Sequence, residues 1–559
     1  MNKADIYMYE SIKNILDNGF LDDNPRPKYE DGTPAHTLSV NHVVRTYDLS
    51  KGAFPICTLR SQAWKTGIKE MMAIYQNQSN KISEFERCGC GWWKDWALED
   101  GTIGRAYPYN LESHRPNEMK RTIVKVARRI VDEKYKELTM KNFELLDSID
   151  DVIYCNRYKV IGLNNNISDG LHKFYNIQFI SNGYVTYMRS DLIGKSNGVN
   201  PYDRTVFNIG YLGNYQSVEN FTESEIRILQ NKWRDMLRRC YFDSYKNNNP
   251  SYNNIFVHQD WHCFETFLRD VRYLPQYFLA REENFEGWDL DKDYYGSNAY
   301  SKDTCVFLKK SENIMYSDTD KMYEIINIEN GEKYYELTLI DTSKIFNVDR
   351  RTIAKHINDG EYKGFNINVY ENDNEFVYRY ELSRNQVVEL IKDIQNNPYG
   401  RRHIISFWHW ANIDKKSLVE CAYETIWNVR KNKKNEEFLD MCLIQRSGDM
   451  LTASGAGGIN EIQYSALLMM IARHTGYKAG KFTHFLANEQ IYDRHFEQAK
   501  EMLCRFEELD YEEEWLDAYK EPKLILNPDK TDFYDFVIED FVLVDYEPVK
   551  PQLKFPLGI

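Results

Sequence analysis

The sequence lacks several features of exported and membrane proteins. It contains no run of about 18 apolar residues, so no segment is predicted to span a membrane. Its first residues, Met-Asn-Lys-Ala-Asp-Ile-Tyr, do not form the apolar core of a signal peptide. The ten cysteines include one close pair, Cys88 and Cys90, and no second pair completes a zinc site. These absences favour reduced thiols and a cytoplasmic location.

The sequence also lacks a net positive charge. The formal charge of -14 argues against a protein that coats nucleic acid, although it leaves room for a local basic surface. The chain of 559 residues is too long for one ordinary hydrophobic core, so it predicts two or three domains. Its hydrophobic content of 42% is sufficient for globular folding.

One stretch, residues 397–466, concentrates side chains suited to phosphate binding and nucleophilic chemistry. They occur in the order Arg401, Arg402, Cys421, Arg446, Ser447, Asp449, Asn460 and Tyr464. The planar guanidinium of arginine offers paired donors to a phosphate dianion. A thiol attacks carbon when its surroundings favour the thiolate. Together these residue types indicate an enzyme that acts on a phosphorylated small molecule.

The ordered set resembles the core of the thymidylate synthase family. An arginine pair, a cysteine nineteen residues later, a Gln-Arg-Ser-x-Asp run and an Asn-x-x-x-Tyr pair carry the resemblance. It implies an α+β fold, with a mixed sheet flanked by helices and a homodimer formed through the sheet. The implied activity is that of a folate-dependent methyltransferase, which converts dUMP to dTMP with 5,10-methylenetetrahydrofolate and releases dihydrofolate. No metal is required for that reaction.

The resemblance implies that Cys421 adds to C6 of the uracil ring, and the alternative is a buried, inert cysteine. Glu70 would order water beside the pyrimidine, unless it is only a solvated helix-face carboxylate. Tyr107 would join the hydrogen-bond network around C5. Asn460 would donate to O4 and accept from N3–H, a pairing that cytosine cannot satisfy. Asp449 completes the implied catalytic group.

The same resemblance assigns the two substrates to further residues. Substrate binding falls to Arg401, Arg402, Arg446, Ser447, Asn460, Gln490 and Tyr492. Of these, the Arg401–Arg402 pair would reach across a twofold interface into the partner's phosphate site. Folate binding falls to Trp93, to Asp449 and to the C-terminal tail ending at Ile559, which would close over the folate and exclude water.

Three departures from the family pattern are visible. The position aligned with a phosphate-binding arginine is Gly32, with Arg26 nearby as a substitute. The family's Pro-Cys-His is replaced by Glu420, Cys421 and Ala422, and Glu420 is expected to raise the thiol pKa. Gln490 stands at a histidine position. These differences leave dUMP hydroxymethylation, in which water captures the exocyclic methylene, as an alternative activity.

The family pattern stops near residue 109 and resumes near residue 380. The predicted organisation is therefore a synthase core at 1–112 and 379–559, interrupted by an inserted α+β domain at 113–378. The insert resembles HNH-like or AP2-like segments of phage homing endonucleases, with a helix-turn-helix near 342–357. A phage gene would place the protein in the host cytoplasm.

The function of the insert stays open. Arg350, Arg351 and Lys355 would lie on the recognition helix, which favours DNA binding, yet acidic side chains outnumber basic ones between residues 111 and 380. His258 and His262 have helical spacing for a metal, but structural histidines are the alternative. A homing DNA endonuclease embedded in a synthase is thus a further functional hypothesis.

Overall fold

The computed structural model describes most of the chain. The described residues are 2–112, 122–125, 158–167, 169–193, 198–295, 297–310, 321–331, 333–336, 339–357, 361–371, 376–379, 384–511 and 521–556. The chain divides into two compact units, Met1–Glu118 with Leu382–Ile559, and Met119–Glu381. The first unit is thus assembled from two chain segments. The interpretation of residues 113–378 as an inserted homing-endonuclease-like domain remains a prediction.

The first unit is built on a seven-stranded sheet. In spatial order its strands are Phe20–Leu21, Thr37–Asp48, Lys478–Tyr492, Glu437–Gln445, Ala422–Lys431 and Ile404–Ser406, with Gly448–Asp449 also paired to Lys478–Tyr492. Two of the pairings are parallel and the others are antiparallel. The predicted α+β class with a mixed sheet is therefore confirmed.

Helices cover this sheet. They are Lys3–Asn18, Trp64–Met72, Ile82–Arg87, Gln386–Asn396, Ile459–Thr475 and Phe496–Tyr511, and a separate hairpin pairs Lys523–Leu526 with Phe541–Val544. The first helix begins at Asn2, whose side chain accepts the backbone N–H of Asp5. Its apolar side chains Met8, Ile12 and Ile15 are fully buried. Among the described helices, none has both the length and the apolar composition needed to cross a bilayer.

The helix Ile459–Thr475 lies inside the first unit rather than on its surface. Nearly all of its first three turns is buried, so it has no polar face. It packs closely on Trp64–Met72, because a Cβ at Gly67 would lie 3.0 Å from the Ile459 side chain. The helix Trp64–Met72, which carries Glu70, is followed by a wider turn at Ala73–Asn77. This packing places Ile459, at the start of the helix Ile459–Thr475, beside Gly67 in the helix Trp64–Met72.

The two chain segments of the first unit are joined where the chain leaves and returns. Glu112 and Asn385 form an isolated antiparallel bridge. The Gln386 N–H donates to the Leu111 carbonyl at 2.7 Å, and the Asn385 amide donates to Glu112 at 2.9 Å. Asn385 also caps the helix Gln386–Asn396 by accepting backbone N–H groups. The two ends are therefore held side by side.

The second unit contains several small sheets and six helices among its described residues. Its helices are Glu223–Tyr241, Asp243–Asn248, Phe264–Asp270, Tyr277–Glu282, Leu339–Ile345 and Arg350–Ala354. Its strands are Thr122–Lys125, Tyr158–Asn164, Phe174–Phe179, Val185–Arg189, Phe256–Val257, Trp288–Asp291, Ala299–Tyr300, Val306–Lys309, Lys321–Asn327, Lys333–Glu336, Glu361–Tyr362, Phe365–Glu371 and Phe376–Arg379.

Two features of the second unit bear on the sequence predictions. The helices Leu339–Ile345 and Arg350–Ala354 occupy the range of the predicted helix-turn-helix, and Arg350 and Arg351 are exposed there. His262 contacts the Tyr241 hydroxyl at 3.3 Å and the Val257 carbonyl at 3.2 Å. Burial lowers the pKa of His262 to about 4. No group of three or more metal-ligating side chains occurs in the described part of the chain.

Candidate active site

Cys421 lies immediately before the strand Ala422–Lys431, and Arg446 follows its hairpin partner Glu437–Gln445. The antiparallel register pairs Ala422 with Gln445, so the two strand ends meet. The Arg446 N–H donates to the Cys421 carbonyl at 2.9 Å. Its guanidinium Nη2 lies 3.6 Å from the Cys421 Sγ. The pairing of these strands therefore places the Arg446 guanidinium beside the Cys421 thiol.

The Arg446 guanidinium is anchored to the loop that carries the cysteine. Its Nε donates to the Glu420 carbonyl and its Nη2 to the Val419 carbonyl, each at 2.9 Å. Burial raises the pKa of the Cys421 thiol, and the charge of Arg446 opposes that rise. The effect of burial on the thiol pKa is therefore larger than the opposing effect of Arg446. The resting group is a thiol whose conversion to thiolate depends on nearby cations.

Glu420 lies beneath the cysteine in a buried ion pair. Its Oε2 is 2.5 Å from the Lys416 Nζ, and both side chains have 0% exposure. Its Oε1 accepts the Tyr107 N–H at 2.8 Å and the Asn110 amide at 3.2 Å. Glu420 raises the thiol pKa as expected, after the larger effect of burial. Its contacts also fix the backbone of Tyr107, which has a φ of 40°.

Tyr107 connects the cysteine loop to the aromatic wall of the site. Its hydroxyl accepts the Cys421 N–H at 3.4 Å, and its ring packs edge-on against Trp93 with centroids 5.8 Å apart. Burial raises the Tyr107 pKa, and Cys421 adds to the rise. Gly104, which precedes this segment, has a φ of 65° and faces the Lys415 carbonyl so closely that a Cβ would clash. The glycine therefore permits the tyrosine to approach the thiol.

Glu70 is not a solvated helix-face carboxylate. Its Oε1 accepts the Trp93 indole N–H at 2.7 Å and the Trp92 indole N–H at 3.4 Å. Its Oε2 accepts the Gln463 amide at 2.7 Å. Burial raises the Glu70 pKa, while these hydrogen bonds oppose the rise. A carboxyl with a raised pKa is suited to proton transfer near neutral pH.

Asn460 is held by amide and hydroxyl contacts on both sides. Its Nδ2 donates to Gln463 at 3.0 Å, which connects it to Glu70. Its Oδ1 accepts the Ser454 hydroxyl at 2.8 Å and the Gln445 amide at 3.3 Å. The predicted base-reading amide and the predicted water-ordering carboxylate are thus two contacts apart. Gln463 bridges them because it lies one helical turn after Asn460.

The strand Lys478–Tyr492 brings together the predicted sugar-binding and folate-binding residues. Its register pairs Gln490 with Asp449 on one side and with Ser39 on the other. Burial raises the pKa of Tyr492 to about 12, and the nearby Asp449 and Cys421 contribute. Burial also raises the Asp449 pKa, although its carboxylate accepts the Thr452 hydroxyl at 2.5 Å.

Ser447 is half-buried between Arg446 and the Gly448–Asp449 strand. This location puts its hydroxyl on the same short segment as the arginine and the aspartate. Three residues predicted to bind substrate or folate, Arg446, Ser447 and Asp449, therefore lie on one short segment.

Arg26 is an exposed loop residue whose charge extends to this site. It lowers the pKa of Cys421 and of Tyr492, against the larger effect of burial at each. Gly32, the aligned position, provides no side chain. Arg26 is thus the N-terminal cation whose charge acts on the thiol.

The structure does not bring Arg401 and Arg402 into this cluster. Both are exposed, just before the edge strand Ile404–Ser406. Arg402 lines a separate cavity of about 620 Å³, together with His403 and Asp393. Among the described contacts, no hydrogen bond or ion pair joins either arginine to Cys421 or Arg446.

The C-terminal residues approach the site through His495. The His495 Nε2 contacts the Pro556 carbonyl at 2.6 Å, and its ring packs against Phe555. The His495 Nδ1 is buried without a hydrogen-bond partner, 4.0 Å from an Asp449 carboxylate oxygen. Buried polar atoms near Asp449 suit a ligand with N–H donors, such as a pterin ring. Ile559, the predicted end of the folate site, lies outside the described residues.

The chain has clear sequence similarity to known proteins. The sequence profile of the family described as thymidylate synthase matches residues 6–153 and 307–559, which is more than half of the chain. The chain belongs to the thymidylate synthase family. The family match is split, and the break between its two segments, residues 154–306, falls within the range of the predicted insert.

Several thymidylate synthases share part of their sequence with this family member. That of Lactococcus lactis subsp. cremoris strain SK11 is 46% identical over 177 residues, 31% of this chain and 59% of the relative. That of Streptococcus suis strain 05ZYH33 is 46% identical over 175 residues, 31% of this chain and 58% of the relative. The chain thus spans less than two thirds of the curated relatives it matches. A solved thermostable thymidylate synthase A from Bacillus subtilis has a TM-score of 0.45 and 19% identity, with 100% of this chain and 99% of that chain covered.

Four contributors to the site of this thymidylate synthase family member were not predicted from sequence. Gln445 and Gln463 orient Asn460, Lys416 neutralises Glu420, and His495 joins Asp449 to the tail. Helical spacing could have identified Gln463, three residues after Asn460, whereas Lys416 and Glu420 lie in a non-helical loop. Gln445 begins the Gln-Arg-Ser-x-Asp run, but its contact with Asn460, like that of His495 with the tail, depends on tertiary packing.

Proposed function

We propose that this protein catalyses the reductive methylation of dUMP to dTMP, with 5,10-methylenetetrahydrofolate as co-substrate and dihydrofolate as the second product. The observation that carries the proposal is the 3.6 Å approach of the Arg446 guanidinium to the Cys421 thiol. This geometry supports one residue binding an anionic nucleotide while its neighbour attacks the base. Membership of the family and relatives named thymidylate synthase favour this activity.

The dUMP phosphate would bind at the mouth of the site. Arg446 and Ser447 supply a guanidinium and a hydroxyl, and exposed Arg26 supplies a further cation in place of the missing arginine at position 32. Gln490 and Tyr492 would contact the ribose, where an amide and a phenol can each donate or accept. Burial of Tyr492 raises its pKa, so it is a hydrogen-bond donor at neutral pH.

The thiolate of Cys421 would form a bond to C6 of the uracil ring. The C5–C6 π electrons move onto the C4 carbonyl, which gives an enolate whose negative oxygen accepts a hydrogen bond from Asn460 Nδ2. The amide contacts of Asn460 orient it for that role. Because burial raises the thiol pKa, Arg446 and Arg26 are required to stabilise the thiolate.

Glu70 and Tyr107 would handle protons at C5 and O4. Glu70 has a pKa raised by burial and connects to Asn460 through Gln463. The Tyr107 hydroxyl, hydrogen-bonded to the cysteine backbone, faces the same locus. Each group is therefore placed to transfer a proton directly or through water.

Trp93, Asp449 and the tail ending at Ile559 would hold the folate. The folate supplies both the carbon and the hydride. Asp449 offers acceptor oxygens for pterin N–H groups, and the buried Trp93 ring offers an aromatic wall. His495 lies 4.0 Å from Asp449 and contacts the Pro556 carbonyl, so the tail lies close to the proposed folate site. The reaction requires no metal.

A homodimer would complete the phosphate site. Arg401 and Arg402 are exposed and separate from the Cys421 cluster of their own chain. This is the arrangement expected if each pair enters the partner's site across a twofold axis. A mixture of Arg402→Ala and Cys421→Ser subunits would test it, because heterodimers regain one intact site. Absence of any recovered activity would refute shared sites.

The activity test uses purified full-length protein, dUMP and methylenetetrahydrofolate. Formation of dihydrofolate is followed by absorbance and the nucleotide product by mass. Cys421→Ser should abolish turnover, whereas the control Cys442→Ser, on the neighbouring strand, should retain it. Formation of a 5-hydroxymethyl nucleotide without dihydrofolate would show that the protein hydroxymethylates dUMP instead of methylating it.

The second unit is proposed as an accessory DNA-binding element, in a protein that acts in the cytoplasm. Support comes from exposed Arg350, Arg351 and Lys355 on and beside the helix Arg350–Ala354. Asp349 pairs with Arg351 at 2.9 Å and reduces its free charge. An electrophoretic shift with random duplex at low salt, lost in the Arg350→Ala and Lys355→Ala double variant, would support it. No shift at micromolar protein would refute it, and cleavage of an insert-free synthase gene with magnesium would instead indicate an endonuclease.

A further inference from the structure

A buried group of four charged side chains lies behind Asn460. Arg45 contacts Glu461 at 2.8 Å and Glu489 at 2.7 Å, and His484 contacts Glu461 at 3.0 Å. The four side chains are 0–2% exposed. We call these residues the buried quartet. Its charges cancel only if His484 is an imidazolium, since the two carboxylates then face two cations.

Hydrogen-bond requirements assign the protons of His484. Its Nδ1 faces a carboxylate oxygen of Glu461, and its Nε2 faces Gln445 Oε1 at 3.1 Å. The orientation of the Gln445 amide is fixed by the Ser447 carbonyl, an acceptor that lies 2.9 Å from Gln445 Nε2. Both ring nitrogens of His484 therefore face acceptors, so both carry a proton.

The surroundings of the quartet favour this charge distribution. Burial would raise the pKa of Glu461, but Arg45 and His484 outweigh it and lower the pKa to about 2. The Gly457 N–H donates to the second Glu461 oxygen at 2.7 Å. Tyr47 is a further titratable side chain that interacts with Glu461. Burial and Glu461 both raise the Tyr47 pKa, so this side chain stays neutral. An uncharged His484 would leave the buried quartet with an uncompensated negative charge.

The orientation of the Gln445 amide in turn determines the orientation of the Asn460 amide. Gln445 Nε2 donates toward Asn460 Oδ1, as does the Ser454 hydroxyl. The Asn460 Nδ2 must then point away from them, toward Gln463. A flipped Asn460 would present its Oδ1 where Nδ2 now lies. That reversed amide would pair with the N3 acceptor and N4 donor of cytosine instead of the N3–H and O4 of uracil.

We propose that the buried quartet holds His484 doubly protonated and, together with the Ser447 carbonyl, fixes the Asn460 amide through Gln445 in the orientation that selects uracil over cytosine. Arg45, Glu461, Glu489 and His484 are positioning residues that act through Gln445 without touching the nucleotide. This inference rests on the proposed use of dUMP. The inference explains why the Asn460 amide, which is proposed to recognise the base, has one orientation.

The test removes one cation and one anion together. The double variant His484→Gln with Glu461→Gln keeps the quartet neutral, which protects folding better than either single change. Its new amide can offer its oxygen to Gln445, so the Gln445 amide that orients Asn460 is held by the Ser447 carbonyl alone. The kcat/KM ratio of dUMP to dCMP should fall about tenfold or more. Thr483→Val, on the same strand, is the control and should keep the wild-type ratio.

Equal discrimination in wild type and a folded double variant would overturn the proposal. Calorimetric titration with dUMP and dCMP gives the same ratio without turnover. A wild type that prefers dUMP in binding but yields no dTMP would therefore refute the proposed function alone. If the double variant does not fold, the ¹⁵N spectrum of histidine-labelled wild type decides. One ring should show both nitrogens protonated, as the two acceptors that face His484 require, and its absence would overturn the proposal.

Discussion

The buried ion pair between Lys416 and Glu420 gives a quantitative prediction. Both side chains are fully buried, and the Nζ to Oε2 distance is 2.5 Å. Lys416→Met would leave the Glu420 carboxylate without its cation, although the Tyr107 and Asn110 donors remain. Breaking a buried pair by removing one partner costs about 3–5 kcal/mol. At roughly 2–4 °C per kcal/mol, the melting temperature should fall by about 10 °C.

The double variant Lys416→Met with Glu420→Gln should recover most of that loss. Glutamine keeps an oxygen that accepts the Tyr107 N–H, and no buried charge remains. Replacing both members of a buried pair by neutral side chains is often neutral or stabilising. Differential scanning calorimetry measures all three variants. The control Lys478→Met removes an exposed partner of Glu436 and should leave the melting temperature almost unchanged. A double variant as unstable as the single one would show that charge compensation is not the stabilising factor.

Three further predictions concern the site and the second unit. Glu70→Gln should lower kcat about 10²-fold with little change in the KM for dUMP, measured by steady-state kinetics, and an unchanged kcat would leave Glu70 a structural role only. Arg26→Ala should raise the KM for dUMP about tenfold, and equal effects in the control Lys28→Ala on the same loop would contradict specific phosphate binding. The folded pKa of His262, about 4, lies below its unfolded value, so the second unit should lose stability as pH falls from about 6.5 to 4. His262→Gln should flatten that part of a pH-dependent urea unfolding profile, and an unchanged profile would contradict it.

The proximity of Cys421 and Arg446 could be predicted from sequence because both residues flank strands of one hairpin. The pairing of a hairpin follows from local sequence. The register that pairs Ala422 with Gln445 then places the neighbouring residues Cys421 and Arg446 side by side. Asn460 and Glu70 could be predicted from their motifs, although the Gln463 bridge between them could not. The resemblance identified the individual residues, and the structure added the contacts that orient them.

The buried quartet could not be predicted from sequence. Its members lie on the strand Thr37–Asp48, the helix Ile459–Thr475 and the strand Lys478–Tyr492, and only tertiary packing brings them together. Glu420 was interpreted as a neighbour of the thiol, but its carboxylate also fixes Tyr107 and pairs with Lys416. The role of Arg401 and Arg402 depends on a second subunit, which one chain cannot reveal.

The bridge between Glu112 and Asn385 closes the backbone of the first unit at the point where the chain leaves it and returns. Paired backbones lie about 4.8 Å apart, so any module with adjacent ends could be grafted there without disturbing the catalytic framework. A short turn that joins the two residues should therefore let the first unit fold without the residues between them.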